Sequence, residues 1–310
     1  MCIVIYYRCM RFSYLIHSVD MNPYIELMIV SVLFGASGSF IKVLHLPSTT
    51  LSFFRLAVPT VILFFYFIYK KIRLFRGNIT WLLVSSVLNA FRLYIMFAAY
   101  NMATIGNASL GSSTGPLFLF LFSFIFLREQ ITLKRSLLLL SSFIGLCILY
   151  SSLPFSFENK DFVGMSLAVL STAIYQLTII ISKKELERYS KTEAIFYQNV
   201  VGAFIFLPFL FINTPFPAPW QFAVASTSGF LMGLVAFLLY FSAIKKVSPT
   251  AASIAMIDIV LSVLFGVVLF REQVTANMII GGLIILSTSF LISVELRSKK
   301  LQQAVVESNT

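Results

Sequence analysis

The chain is organised as ten stretches in which apolar residues dominate, and short polar connections separate each stretch from the next. Each stretch holds about 20 residues, a length that crosses about 30 Å of hydrocarbon as an α-helix. We name them span 1 to span 10; they cover residues 24–44, 51–69, 79–100, 105–127, 136–153, 162–182, 194–213, 221–243, 250–270 and 276–294. The pattern predicts an all-α polytopic membrane protein with ten transmembrane helices.

The composition excludes a water-soluble domain of this length. Hydrophobic residues make up 59% of the 310 residues, charged residues only 11%, and the mean hydropathy is +0.92. A soluble domain carries about 25% charged residues. The three cysteines have no CxxC spacing and the two histidines lie far apart in sequence, so we predict no disulfide framework, no metal site and no cofactor.

The positive charges are distributed unevenly between the two sides of the predicted membrane. Sixteen of the 23 Lys and Arg residues lie in every second connection or in the tail from Arg297. Because Lys and Arg concentrate on the cytoplasmic side, we predict that both termini are cytoplasmic and that the protein lies in the inner, cytoplasmic membrane. The net charge of +11 therefore indicates membrane orientation rather than binding of nucleic acid.

A repeated motif divides the chain into two halves. The segments "FLREQIT" at 126–132 and "LFREQVT" at 269–275 lie 143 positions apart. Aligning them places five spans in each half, and an odd number of spans makes the second half enter the membrane from the opposite side. We therefore predict two inverted five-helix repeats, an arrangement typical of transporters. The predicted units are a first repeat at 21–153, a second at 154–296 and a cytoplasmic tail at 297–310.

Residues 1–20 are predicted to be an N-terminal appendage to these repeats. Arg8 and Arg11 interrupt its apolar run, and no small-residue cleavage site follows, so the segment does not resemble a signal peptide. Met21 directly precedes span 1, and the sequence leaves open whether translation starts at Met1 or at Met21.

The repeated motif itself favours a structural joint over a binding site. Thr132 and Thr275 directly precede new apolar runs and are good N-cap residues for the following helices. Glu129 and Glu272 would be stabilised near helix N-termini by the helix dipole. Both glutamates lie at the predicted membrane boundary, which argues against a role in substrate binding.

Two charged residues lie deep within the predicted spans. Asn89, Arg92, Met96 and Tyr100 are spaced by three or four and share one face of span 3, with Arg92 about 12 Å from the nearer membrane boundary. Asp258 is the only acidic residue deep inside any span, about 12 Å from the cytoplasmic end of span 9. Buried charges in membranes are costly, so both residues are candidates for a cavity or a buried ion pair.

A third charged residue, Arg55, has a different predicted place. It lies about 6 Å from the outer boundary of span 2, and we expect it to reach that surface or an outer ion pair.

The run "GNASLGSSTGP" in span 4 combines small residues, hydroxyls and a proline, a composition that permits close packing or a kink.

The chain resembles the EamA branch of the drug/metabolite transporter superfamily over nearly all of residues 24–294. The segments that carry the resemblance are "FGASGSFIK" in span 1, "FFRL" in span 2, "AAYNMATIGNASLGSSTGPLF" across spans 3 and 4, and "SAIKKVSPTAASIAMIDIVLSVLFGVVLFREQ" across spans 8 and 9. Many relatives carry Glu-Pro in span 9 where this chain has Asp258-Ile259, whereas span 4 keeps Gly115-Pro116. A helix break is therefore expected more clearly in span 4 than in span 9.

The resemblance implies alternating access to a central cavity lined mainly by spans 1, 3, 4, 6, 8 and 9, and transport of small organic solutes without ATP hydrolysis. The helix-break and gating residues are predicted to be Gly115 and Pro116. The predicted substrate-binding residues are Phe34, Asn89, Arg92, Met96, Tyr175, Gln176 and Asp258.

The favoured function is a secondary transporter for an amino acid or an amino-acid-derived zwitterion, because an arginine and an aspartate complement a carboxylate and an ammonium group. A proton-coupled exporter of cationic drugs is the alternative. An embedded enzyme or a scaffold is less well supported, because catalytic motifs and long loops are lacking. The expected partners are a small-molecule substrate and the lipid bilayer. Proton coupling, counter-metabolite exchange and oligomeric state are left open.

Overall fold

The computed structural model describes residues 22–72, 74, 79–127, 133–151, 153–186, 189–212, 216–246 and 257–291. All regular secondary structure in these ranges is helical. The α-helices, in chain order, are α1 Pro23–Gly35, α2 Ser37–Leu44, α3 Ser48–Lys70, α4 Thr80–Met102, α5 Ile105–Ser112, α6 Gly115–Leu127, α7 Leu133–Ser151, α8 Lys160–Leu186, α9 Lys191–Ile212, α10 Pro219–Phe230, α11 Ala236–Lys246, α12 Ile257–Phe270 and α13 Ala276–Leu291. A π-helical segment, Leu231–Val235, joins α10 to α11.

Seven helical stretches in the described residues are long and apolar enough to cross a membrane. They correspond to spans 1 to 4 and 6 to 8, while Ser136–Ser151, α12 and α13 are shorter apolar helices within spans 5, 9 and 10. The total of ten crossings therefore stays a prediction. The N-terminal appendage, Glu129, Thr132 and the C-terminal tail lie outside the described residues.

The outer surface of the helical assembly is strongly apolar. Large side chains such as Phe65, Phe204 and Phe211 are 61%, 70% and 69% exposed, respectively. Soluble monomers seldom expose extensive apolar surface, whereas lipid-facing helices do. The molecule is a multi-pass membrane protein.

Close packing of the helices depends on small residues, because attraction between membrane helices relies on short van der Waals distances. A Cβ atom added at Gly202 on α9 would lie 2.7 Å from the Ala90 Cβ of α4. A Cβ atom at Gly281 on α13 would lie 2.7 Å from the Gly145 carbonyl oxygen of α7. Larger residues at these positions would separate the helices.

Three helical irregularities surround the centre of the molecule. Ala36 separates α1 from α2, and Ser113 with Thr114 separates α5 from α6. The second interruption directly precedes Gly115 and Pro116, where the sequence predicts a helix break. Proline lacks a backbone N–H and fits the first turn of a new helix. The π-helical segment is the third irregularity, and residues 250–256 of span 9 lie outside the described part of the chain.

The second copy of the repeated motif forms a joint between helices, but not in the way the sequence indicates. Thr275 accepts a hydrogen bond from the Met278 N–H (3.2 Å), which confirms it as the N-cap of α13. Glu272 does bind a helix N-terminus, but it is that of α5: its carboxylate accepts from the backbone N–H groups of Ile105 (2.7 Å) and Gly106 (3.1 Å). The connection after α12 therefore joins the second half of the chain to the first.

The backbone around Glu272 explains why its side chain points toward α5. Arg271 adopts a positive φ of 56°, and the Glu272 N–H donates to the Gly266 carbonyl oxygen at 3.2 Å. A Cβ atom at Gly266 would collide with the Glu272 carboxylate. The tight turn and this glycine together direct Glu272 back across the end of α12 toward α5.

Candidate functional site

A cavity of about 440 Å³ lies in the middle of the helical assembly. Its wall contains residues from α1 to α6, α8 to α12 and the π-helical segment. Every residue that the sequence predicts for substrate binding or gating lines this cavity: Phe34, Asn89, Arg92, Met96, Gly115, Pro116, Tyr175, Gln176 and Asp258. The structure thus brings these residues together from five helices, and their roles in transport stay predictions.

Arg92 is held in place by neighbouring helices. Its Nη2 donates to the Asn89 Oδ1 at 3.0 Å, and the Asn89 Nδ2 in turn donates to the Gln198 carbonyl oxygen of α9 at 3.0 Å. The Ser171 hydroxyl of α8 donates to the Arg92 carbonyl oxygen at 2.8 Å. These contacts fix both the backbone and the side chain of Arg92.

The guanidinium of Arg92 also lies over an aromatic ring. Its Cζ is 4.4 Å from the centroid of the Tyr175 ring, a cation–π distance. Its Nε is buried without a hydrogen-bond partner, and no carboxylate in the described ranges lies within 4.0 Å. A buried donor left unpaired is costly, so the site is suited to an anionic ligand.

Arg55 does not lie at the outer surface, where the sequence predicts it. It lines the cavity, its Nη1 is buried without a hydrogen-bond partner, and its Cζ is 5.9 Å from the centroid of the Phe237 ring. The π-helical segment packs against α3 at this level, since a Cβ atom at Gly233 would lie 2.9 Å from the Arg55 carbonyl oxygen. The side of α3 that carries Arg55 thus packs against the π-helical segment and α11, a contact that a span boundary alone does not reveal.

Asp258 lines the same cavity from α12. The structure does not join it to Arg92, because no cation in the described residues lies within 4.0 Å of its carboxylate. The start of α12 is packed against α1, where the Ser262 hydroxyl donates to the Gly35 carbonyl oxygen at 2.9 Å. The alternative of a direct Arg92–Asp258 ion pair is therefore wrong for this conformation.

Small residues allow α6 to approach α8 at the cavity wall. A Cβ atom at Gly115 would lie 2.9 Å from the Gln176 Nε2 and 3.3 Å from the Thr172 Cγ2. The neighbouring hydroxyls bond to nearby carbonyl groups: Ser113 donates to the Leu110 oxygen at 2.6 Å, and Thr172 donates to the Ser112 oxygen at 3.4 Å. The wall thus presents satisfied polar groups around the helix break.

Comparison with known proteins assigns the chain to a family. The EamA-like transporter family matches residues 22–151 and again residues 162–294. The pseudopaline exporter CntI of Pseudomonas aeruginosa is 28% identical over 265 residues, which cover 82% of this chain and 88% of the relative. The S-adenosylmethionine uptake transporter of Rickettsia conorii is 26% identical over 255 residues, which cover 80% of this chain and 83% of the relative.

The fold is also represented among solved structures. One crystal structure superimposes with a TM-score of 0.61 over 89% of this chain and 98% of its own, at 14% sequence identity. The apolar helices, the family match over both halves and the two transporter relatives together show that the protein is a small-molecule transporter and not an enzyme. The chain belongs to the EamA-like transporter family.

Proposed function

We propose that this protein is a secondary transporter of the cytoplasmic membrane that carries an amino acid or an amino-acid-derived zwitterion by alternating access. The observation that carries the proposal is the cavity that contains Arg92 and Asp258 without an ion pair between them. A guanidinium complements a carboxylate, and a carboxylate complements an ammonium group. A zwitterion would satisfy both residues at once.

The cost of buried charge supports a ligand between these residues. An uncompensated charge at the centre of a membrane costs about 2.5–3.5 kcal/mol even on the insertion scale. Two opposite charges in one cavity would offset this cost by direct contact if their role were structural. Their separation instead leaves room for a substrate that contacts each of them.

The packing of the helices supports alternating access through two inverted halves. In two equivalent repeats, span 3 corresponds to span 8 and span 1 to span 6. Spans 3 and 6 pack together, and so do their counterparts, spans 8 and 1. The contact between spans 4 and 6 similarly corresponds to that between spans 9 and 1, and both are present. Such symmetric pairing is expected where one half rocks against the other around a central site.

The predicted orientation can be tested by labelling single cysteines in a background without the three native cysteines. Cysteines at Gly77 and Ser190 should react with an impermeant thiol reagent only after the membrane is permeabilised. Cysteines at Ser48, Asn159 and Thr214 should react from outside the intact cell. Labelling at Gly77 in intact cells would overturn the orientation.

The transport function is tested by uptake of a panel of labelled amino acids and their derivatives into proteoliposomes. Arg92→Ala and Asp258→Ala should each abolish uptake of the zwitterion, because each removes one of its two charged contacts. Thermal unfolding of the purified variants serves as the control for folding. A panel in which no zwitterion is carried by the wild-type protein would contradict the proposal.

The exchange variant Arg92→Asp with Asp258→Arg distinguishes substrate binding from a structural pair. If the two residues bind opposite ends of the substrate, the folded exchange variant should not take up the zwitterion, because Asn89 and Tyr175 remain arranged for a guanidinium. Bound substrate should also protect a cysteine at Asn89 from labelling. Recovery of uptake in the exchange variant would instead assign the residues a structural role.

A proton-coupled exporter of cationic drugs is the second candidate, favoured by the acidic side chain of Asp258 in the cavity wall. In that case Arg92→Ala would retain full transport while Asp258→Ala would abolish it. An imposed pH gradient would drive the cationic substrate, and the same gradient tests whether protons or a counter-metabolite drive the zwitterion.

A further inference from the structure

The charges of the cavity wall are not balanced. Among the residues that the structure describes, three charged side chains line the cavity: Arg55, Arg92 and Asp258. Two are positive and one is negative. A simple zwitterion would supply one carboxylate and one ammonium group, which is one negative group for two arginines.

The two arginines come from different helices, and each guanidinium lies near an aromatic ring. Arg92 on α4 lies over Tyr175, whereas Arg55 on α3 lies near Phe237. Each has a buried nitrogen without a hydrogen-bond partner, Nε in Arg92 and Nη1 in Arg55. Each guanidinium therefore has its own unused donor.

Aromatic contacts do not replace an anion here. A cation–π contact contributes less than a hydrogen-bonded carboxylate, and at 5.9 Å the contact of Arg55 with Phe237 lies near the limit for such an interaction. The two guanidinium groups also repel each other electrostatically. Retaining both of them in a cavity within the membrane is favourable when a ligand supplies two negative groups.

We infer that the substrate is an amino dicarboxylate, a compound with two carboxylates and one ammonium group, and that Arg55 binds the second carboxylate. Arg92 then binds the first carboxylate and Asp258 the ammonium group. The inference rests on the proposed function and narrows its substrate class. A cavity of about 440 Å³ is of the size that holds a small organic ligand.

The test compares acids with their amides, because the members of each pair have the same shape and differ in one charge. Uptake of glutamate and glutamine, of aspartate and asparagine, and of an N-carboxyalkyl amino acid and its amide is measured in proteoliposomes of the wild-type protein. The acid of at least one pair, or the N-carboxyalkyl compound, should have a KM at least about tenfold lower than its neutral partner, the ratio that one charge-assisted hydrogen bond supplies.

The Arg55→Gln variant tests which residue makes the distinction. The ratio of the KM for the amide to the KM for the acid should fall by about 10- to 100-fold in this variant. Arg55→Lys should recover part of this ratio, because lysine restores the positive charge but not the planar guanidinium that binds a carboxylate through two N–H groups. Arg271→Gln is the matched control, since it removes an exposed arginine outside the cavity and should keep the wild-type ratio.

The possible outcomes separate the two levels of the proposal. If the wild-type protein carries amides at least as well as acids, the inference of a second carboxylate is overturned while transport of zwitterions stands. If it carries neither the acids nor the amides but does carry other zwitterions, the inference is overturned, and if it carries no zwitterion at all, the proposed function itself fails. The inference is also overturned if acids are preferred but Arg55→Gln, shown by its melting curve to be folded, keeps the preference. The wild-type comparison decides the substrate class even where Arg55→Gln does not fold.

Discussion

Replacing Glu272 by glutamine should weaken the joint between α12 and α5. The carboxylate accepts hydrogen bonds from two successive backbone N–H groups, those of Ile105 and Gly106, and its side chain is 9% exposed. Glutamine keeps one acceptor oxygen but places an NH₂ group against one of the two N–H donors. The variant therefore loses one hydrogen bond, gains a donor facing another donor, and loses the favourable interaction of a negative charge with the helix N-terminus.

The size of the effect follows from these contacts. A hydrogen bond to a charged group contributes about 1.5–3 kcal/mol, and a negative charge at a partly buried helix N-terminus contributes up to about 2 kcal/mol. Because these contributions overlap, we expect Glu272→Gln to lower the free energy of unfolding by about 2–3 kcal/mol. Lys42 contributes less: its Nζ lies 3.9 Å from the Glu272 Oε1 and its side chain is 24% exposed, so the ion pair contributes at most about 1 kcal/mol.

The measurement is thermal unfolding of the purified full-length protein in detergent micelles. At about 2–4 °C for each kcal/mol, Glu272→Gln should lower the Tm by about 4–12 °C. Lys42→Met should lower it by less than half of that shift, and Glu158→Gln, at an exposed position, should leave it within about 1 °C. A wild-type Tm in Glu272→Gln, or a larger shift in Lys42→Met, would refute the helix-cap argument.

Three further variants test the cavity wall, each measured as uptake of the identified substrate with membrane abundance as the control. Gly115→Leu should abolish uptake but remain in the membrane, because its side chain would occupy the space next to the Gln176 amide. Normal uptake by this variant would show that the contact between α6 and α8 is not needed for transport. Tyr175→Phe should transport like the wild type, whereas Tyr175→Leu, which removes the ring from Arg92, should raise the KM by about 3- to 30-fold; equal effects would exclude the cation–π contact. Asn89→Ala should raise the KM because Arg92 loses its positioning bond, and an unchanged KM would contradict that role.

The prediction of site residues worked best where helical periodicity and membrane depth agree. The spacing along span 3 placed Asn89, Arg92 and Met96 on one face, and the structure has all three at the cavity. Periodicity assigns a face within one helix, and the cost of buried charge indicates that this face is turned inward. The same reasoning located Asp258, which now lies in the same cavity wall.

The prediction failed where a contact depends on a second, distant helix. Depth measured from the end of span 2 predicts Arg55 at the outer surface, but the residue lines the cavity. The side of α3 that carries it packs against the π-helical segment, which is 178 residues away when measured from Arg55 to Gly233. Glu272 was likewise expected to stabilise the next helix, whereas its carboxylate binds the start of α5, 167 residues earlier at Ile105.

The sequence by itself determined the membrane class, the positions of the helices, the transporter family and the residues of the polar face of span 3. These properties depend on local composition, on the 3.6-residue period and on the transfer of charge into lipid, all of which are readable along one segment. The tertiary structure decided that Arg55 enters the cavity and that Arg92 and Asp258 stay apart. It also decided that Glu272 joins the two halves. Such contacts depend on the relative rotation and approach of several helices, and within a membrane that approach is set by close packing and by the pairing of buried polar groups between distant parts of the chain.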